Sequence, residues 1–409
     1  MRTTSPRLPV VLLAAALIAQ AGVVILRPEL TGPPLAAVEP QAYFSGAHLE
    51  RAQDFRASQI ALYGLRLGVE LAVLAALVAR PPRRLVPARR PVVAGALTGA
   101  AISLVLGAAT VPVRVAAREQ AKEVGLVTQD WIGFAADVVR GEAIAALIAA
   151  GGASLLVLAL RRLPRGWWAA GAAVLVAYGG VLTYLAPVVL EPLYNDFEPL
   201  PRGPLRSQVL TMAERAGVEV GEVYTVDASR RTTAANAYVA GLGATKRVVL
   251  YDNLLRDFEP DEVRLIVAHE LGHVRYADVP RSLLYLALVA PGGMLAVAAL
   301  ARRWARGGRL EGAGAVPAVA LATLVVLVPL NLISNQLSRA VERRADAYAL
   351  ELTDDPAAMI AMQQRLSVRN VSDPDPPDWV RFLLATHPPG LERIAQAEAW
   401  RSAASGSAP

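Results

Sequence analysis

The stretch PDEVRLIVAHELGHVRYAD (260–278) reads as one helix from residue 260 to about 276. Pro260 suits its first turn, Asp261 and Glu262 suit the positive end of its dipole, and Val263, Ile266 and Val267 recur at apolar helical spacing. On that helix His269 and His273 are four residues apart, so both imidazoles leave the same face. Glu270 follows His269 and lies about 100° further round, where it reaches a water beside a metal ion without ligating the ion itself. This is the pattern that metal-assisted peptide hydrolysis requires. Zinc lowers the pKa of water to about 7 and polarises a carbonyl, while the glutamate takes up the proton and passes it to the leaving amine. The chain has four histidines, and two of them fall in these five residues.

A third ligand is needed. There are no cysteines, which removes thiolate zinc sites, disulfides and cysteine nucleophiles together. A metzincin would place glycine at 276 and histidine at 279, whereas this chain has Tyr276 and Val279. The remaining histidines are His48, on an early loop, and His387. The stronger candidate is Glu342 in NQLSRAVERRADAYA (335–349), which would complete a His₂Glu set and leave the fourth position open. Asp346, four residues on, shares its face and is placed to accept a hydrogen bond from a ligand imidazole. Spacing alone leaves a plainer alternative open, a charged helix face on which Arg339 and Arg343 pair with Glu342 and Asp346.

Between these two motifs, and throughout the N-terminal half, lie long apolar runs. The chain is 54% hydrophobic and only 19% charged, a deficit that the runs explain. Seven are long enough to span a bilayer: about 8–26, 58–79, 91–113, 143–160, 166–190, 281–300 and 314–335. The first exceeds a usual signal-peptide core and is followed by more spans, so it is expected to be an uncleaved span. The formal charge of +6 does not indicate nucleic acid, because the arginines cluster between apolar runs. On one side of the seven spans stand fourteen basic residues, including Arg2, Arg7, Arg83, Arg84, Arg89, Arg302, Arg303 and Arg306, against the single acid Glu311. The positive-inside rule then puts the N-terminus in the cytoplasm and the two polar segments, about 191–279 and 336–409, outside it. Both segments share a side whichever way the chain inserts. Scarce lysine with abundant arginine and alanine points to a GC-rich bacterial genome.

Within the first polar segment, GVEVGEVYTVDAS (217–229) and KRVVLYDNLL (246–255) carry the β-branched runs of strands, and TTAANAYVAGLGA (232–244) between them ends in turn glycines. The last residues, SAASGSAP, are expected to be disordered. Arg66 and Glu70 lie four apart inside span two, as an ion pair or as the lining of a wet chamber.

HELGH (269–273) and SRAVERRADAYA (338–349), separated by two spans, resemble the type I CAAX prenyl protease family and its HtpX-like relatives. The resemblance runs over essentially the whole chain: five spans, an inserted catalytic segment, two spans and a C-terminal lobe. The family pattern SRxxExxAD is matched at Ser338, Arg339, Glu342, Ala345 and Asp346. It implies Glu342 as third zinc ligand, with Asp346 and Arg339 supporting the ligand set. ANAYVAG (235–241) resembles the family's edge strand, which implies that Asn236, Ala237 and Tyr238 hold substrate as an added strand. THPPGLERI (386–394) resembles its histidine–proline segment, implying His387 as donor to the oxyanion and Arg393 as support for that wall. The resemblance also implies a large cavity enclosed by the seven helices.

The expected protein is therefore mostly α: a polytopic membrane protein of about seven spans with a small α+β, gluzincin-like zinc-protease domain. Its expected parts are a five-span region (1–190), the first half of the protease domain (191–279), two spans (280–335) and the second half (336–409). The expected activity is metalloendopeptidase, with one zinc per chain, catalytic Glu270 and His387, a peptide substrate and no nucleic acid. The competing readings are a transporter or channel, which leaves HELGH without a role, and an inactive metal-binding scaffold, which has no need of Glu270.

Overall fold

The computed structural model describes residues 8–30, 32–80, 90–219, 222–241, 246–305 and 309–406. Arg2, Arg7, Arg83, Arg84, Arg89 and Arg306 of the charge count lie outside them, as do 242–244 of the expected glycine turn and 220–221 of the first strand run.

Among the described residues, seven helices are long and apolar enough to cross a bilayer. The first five spans are α1 (Leu8–Leu26), α3 (Gly46–Ala79), α4 (Pro91–Glu123), α5 (Trp131–Arg162) and α6 (Trp167–Leu185), with the short α2 (Pro40–Tyr43) between the first two. Several outrun their apolar cores. Helix α3 begins where Ser45 Oγ accepts from the N–H of His48, and α5 where Asp130 accepts from the N–H of Gly133 at 2.7 Å. These polar caps satisfy end amides that have no partner within the helix. After α6 the chain winds through a π-helical turn, Ala186–Leu190, which contains Pro187. Helices α4 and α5 touch through glycine: a Cβ on Gly99 would stand 2.3 Å from the carbonyl oxygen of Ala149. Close backbone approach of this kind is how apolar helices gain packing inside lipid.

The polar lobe follows, with β1 (Phe197–Pro199), α7 (Pro204–Arg215), β2 (Glu222–Val226), β3 (Ala237–Ala240), β4 (Arg247–Tyr251), α8 (Asp252–Asp257) and α9 (Pro260–Arg275). The sheet order is β1-β2-β4-β3, with β2 and β4 parallel and the outer pairs antiparallel, so β3 is an edge. Both expected strands are present but shorter, and β1 carries too few residues for its pattern to be read. The expected strand over 246–255 stops at Tyr251, because Asp252 accepts from the N–H groups of Ser229 and Asn253 and turns the chain into α8. Span six is α10 (Asp278–Trp304). Span seven is the start of α11 (Val316–Thr353), one helix that crosses the membrane and continues into the lobe. Then come α12 (Pro356–Arg369), α13 (Asp378–Leu383) and α14 (Gly390–Ala404). Part of the tail expected to be disordered, Ser402 to Ala404, is the last turn of α14.

The lobe has its own core, in which Val267, Leu265 and Leu271 of α9, Leu250 of β4, Leu350 of α11 and Ile394 of α14 are fully enclosed. Each such side chain contributes about 1.5–3 kcal/mol of apolar burial. Phe44, from between spans one and two, and Leu49, in the first turn of α3, complete this core. The loop between spans three and four meets the lobe as well, through the backbone bridge of Val127 to Thr232. Every loop on this face of the membrane region therefore packs onto the lobe.

Candidate metal centre

Helices α9 and α11 cross where both carry a small residue. A Cβ on Gly272 would lie 3.3 Å from the Cα of Ala345 and 3.2 Å from the ring of Tyr348. Any larger residue at either position would push the helices apart. At this crossing the Nε2 atoms of His269 and His273 are 3.2 Å apart. Glu342 Oε2 is 3.3 Å from His269 Nε2, and Oε1 is 3.6 Å from His273 Nε2.

These spacings fit a metal ion. A tetrahedral zinc with ligands at about 2.0–2.1 Å separates its donor atoms by about 3.3 Å. Glu342 Oε2 is buried without a hydrogen-bond partner, an orphan atom facing the two imidazoles. Each imidazole turns its other nitrogen to a carboxylate: His269 Nδ1 lies 2.8 Å from Asp346 Oδ1, and His273 Nδ1 lies 3.0 Å from Asp278 Oδ2. With protons on the Nδ1 atoms, both Nε2 lone pairs face one point. Burial works against a charged His269, but the adjacent Asp346 outweighs it and raises the imidazole pKa to about 10. Between pH 7 and 10 a cation at Nε2 therefore has to displace a proton.

Glu270 lies at the boundary of lobe and membrane. Its Oε2 accepts from the N–H of Val239 at 3.2 Å, which ties α9 to the edge strand. Glu270, His273 and Glu342 open into a cavity of about 1510 Å³ between the spans, walled by residues such as Leu156, Val174, Leu286 and Val319.

Residues 199–401 match peptidase family M48. The chain belongs to that family. Its relatives include YhfN of Bacillus subtilis (strain 168), described as an uncharacterized metalloprotease, which is 36% identical over 58% of this chain and 58% of its own length. The CAAX prenyl protease 1 homologs of Oryza sativa subsp. japonica and Arabidopsis thaliana are 31% and 33% identical, over 53% and 52% of this chain and 52% of their own lengths. The chain thus spans little more than half the length of these relatives. The crystal structure of S. mikatae Ste24p superposes with a TM-score of 0.74 over 95% of this chain and 96% of that one, at 18% identity, so the fold is shared. A seven-helix M48 membrane protein with a small sheet is thus the architecture of this chain, as the sequence led one to expect.

The M48 centre gathers the other expected residues unevenly. His387 reaches it, with Nε2 3.5 Å from Glu342 Oε1 and Nδ1 2.9 Å from Thr386 Oγ1, on an exposed loop. Arg339 does not touch Glu342: it donates to the carbonyls of Ala385 and Phe382 and so holds the loop that carries His387. Arg393 lies behind His269 rather than along a substrate wall. Its Nε donates to Asp346 Oδ2 at 2.8 Å, because a carboxylate with no exposure needs a cation in contact. The alternative of Arg339 and Arg343 pairing with Glu342 and Asp346 is not what forms, since Arg343 pairs with Glu392.

The edge strand divides by alternation. Tyr251 N–H donates to the carbonyl of Asn236, so Asn236 and Tyr238 direct their main-chain groups to β4, while Ala237 and Val239 direct theirs to the free edge. The Tyr238 side chain turns to the far face and donates to Glu191 Oε2 at 3.0 Å. Of the three expected substrate positions, only Ala237 therefore presents main chain at the edge; Val239, not among them, shares that side, with its N–H taken by Glu270. Period-2 counting from a known register would have found it; the register was not in the sequence. Asp278 was missed as well, because it lies beyond the helix end. Arg66 and Glu70 do form an ion pair, at 2.9 Å.

Proposed function

We propose that this protein is a membrane-embedded zinc endopeptidase that cuts membrane-associated peptides, with His269, His273 and Glu342 as the zinc ligands. The observation that carries this reading is the convergence of three donor atoms, all within 4.8 Å of one another, from two motifs that two membrane spans separate in sequence. A bound zinc ion supplies a Lewis acid for the scissile carbonyl and lowers the pKa of water. Imidazole and carboxylate donors without cysteine suit zinc in a hydrolytic site.

The chain's own residues do the rest. Substrate adds to the free edge of β3 as an extended strand, bonded to the main-chain groups of Ala237 and to the carbonyl of Val239, which tolerates varied side chains. Glu270 takes a proton from the attacking water and delivers it to the leaving amine. His387, at the exposed mouth of the centre, donates to the oxyanion of the tetrahedral adduct. Asp346, paired with Arg393, holds the tautomer and ring plane of His269. The adjoining apolar cavity receives the lipid-facing part of a substrate and supports the membrane-associated class. The same four stretches of chain supply the domains: 1–190 and 280–335 the membrane part, 191–279 and 336–409 the two halves of the protease.

Charge bias supports lobes outside the cytoplasm of a bacterial cell, with a cytoplasmic N-terminus. A C-terminal reporter active only in the cytoplasm is expected to stay silent, and strong signal reverses this orientation. The mechanism is tested by Glu270→Gln in detergent-purified protein. The variant is expected to keep stoichiometric zinc and to lose cleavage of a casein-like or apolar-tailed peptide by about 10²–10⁴-fold. Equal cleavage by the variant sinks the role of Glu270, and a zinc-free wild type sinks the metal assignment.

A further inference from the structure

Two imidazoles face the centre, but they are not equally held. The His269 side chain is 10% exposed and packed against Asp346 and Arg393, while His273 is 20% exposed. His273 sits in the last turn of α9, where the helix stops supporting it. The carboxylate behind it comes from another element. Asp278 is the first residue of α10, with a side chain 7% exposed, and its Oδ2 is 3.0 Å from His273 Nδ1. Its other oxygen pairs with Arg344 of α11, itself 8% exposed, whose guanidinium lies 4.2 Å from the Tyr276 ring.

The backbone bends to make this possible. Ala277 adopts φ 53°, left-handed, between α9 and α10. For a residue with a Cβ that conformation costs about 1–2 kcal/mol, so something must hold it. The reversal folds Asp278 back under the helix end and against His273. Asp278 does not cap α10, since the N-terminal residue Ala277 makes no side-chain cap and the Asp278 carboxylate is taken up by His273 and Arg344. A structural ion pair needs only Arg344. The imidazole contact, aimed at the nitrogen away from the metal donors, is the part that a pairing role leaves unexplained.

We infer that Asp278 is a positioning residue for the metal centre: clamped by Arg344, it fixes the proton of His273 on Nδ1 and the plane of the ring, so that Nε2 is presented to the ion. The centre thus has two matched supports, Arg393–Asp346–His269 from the lobe and Arg344–Asp278–His273 from the start of span six. Carboxylates behind ligand imidazoles raise ligand basicity and orient the ring, and their loss costs about 10–100-fold in metal affinity or activity. This inference rests on the reading of His269, His273 and Glu342 as metal ligands.

The test uses the full chain in detergent, with zinc titrated against a chromophoric chelator and a reporter peptide assayed at saturating zinc. Asp278→Ala is expected to weaken zinc binding about 10–100-fold and to lower kcat with KM unchanged. Asp278→Asn keeps an acceptor oxygen and is expected to recover most of the affinity. Glu392→Ala, which breaks the neighbouring pair with Arg343 without facing an imidazole, is expected to bind zinc as the wild type does. Wild-type affinity in Asp278→Ala overturns the inference while leaving the metal ligands standing; a wild type that binds no zinc overturns the ligand assignment itself. Should the alanine variant not fold, the visible absorption bands of cobalt(II)-loaded Asp278→Asn decide: bands shifted from those of the wild type support the role, and identical bands refute it.

Discussion

Spans six and seven are packed quite differently from spans two and five. In the apolar windows of α10 and α11, 39% of residues are buried, against 6% for α3 and for the span containing α6. The packed pair carries the site: Asp278 opens α10, and Glu342 and Asp346 lie on the lobe end of α11. Of the loosely packed helices, α6 walls the cavity through Val174 and Tyr178, together with Leu286 of α10 and Val319 of α11. Ligand atoms must be held to a few tenths of an ångström, which requires contact on every side. A surface that receives apolar material of varied shape requires the opposite. One membrane region meets both needs by spending its close packing on two helices.

That contrast predicts how variants should divide. Glu342→Ala removes one of three donors from the packed side, and loss of stoichiometric zinc with no residual cleavage is expected by elemental analysis and peptide assay; retained zinc would mean that the set is wrongly drawn. Arg393→Met strips the cation from Asp346, which has no exposure, and should destabilise the lobe by about 3–5 kcal/mol in thermal unfolding. Gly272→Val overfills the crossing of α9 and α11 and should cost about 1–3 kcal/mol, with weakened zinc binding. Lower pH acts on the same donors: because Asp346 raises the His269 pKa to about 10, zinc must displace one proton there. Apparent zinc affinity should therefore fall about tenfold per unit as pH drops from 8 to 6, read by chelator competition. The smallest effect belongs to the cavity. A Cβ on Gly152 meets nothing within 4 Å, so Gly152→Leu should gain up to about 1 kcal/mol from helix propensity. It should keep zinc and raise KM only for substrates with bulky apolar segments. Equal damage from Gly272→Val and Gly152→Leu would erase the distinction between the close crossing on α11 and the cavity wall.

Local patterns carried much of this into the sequence. The spans were visible because twenty apolar residues have few places to go other than lipid, and α9 because its caps, dipole residues and apolar spacing agree. The two pairs of the candidate centre, His269 with His273 and Glu342 with Asp346, were legible because four residues make about one helical turn. What failed was information held by a partner. Arg393 looked like part of a substrate wall until Asp346 was seen to lie behind His269, and Tyr238 looked like an edge residue until the pairing to β4 set the alternation.

The sequence by itself determined that this is a seven-span chain with one helix bearing two imidazoles and a carboxylate, because periodicity and apolar length are properties of contiguous residues. Only the tertiary structure decided which carboxylate stands behind which imidazole and which main-chain groups of β3 are free. It also decided that Asp278, past a left-handed Ala277, turns back to His273. Those facts depend on how helices cross and strands register, and crossing and register are set by contacts between residues far apart in the chain.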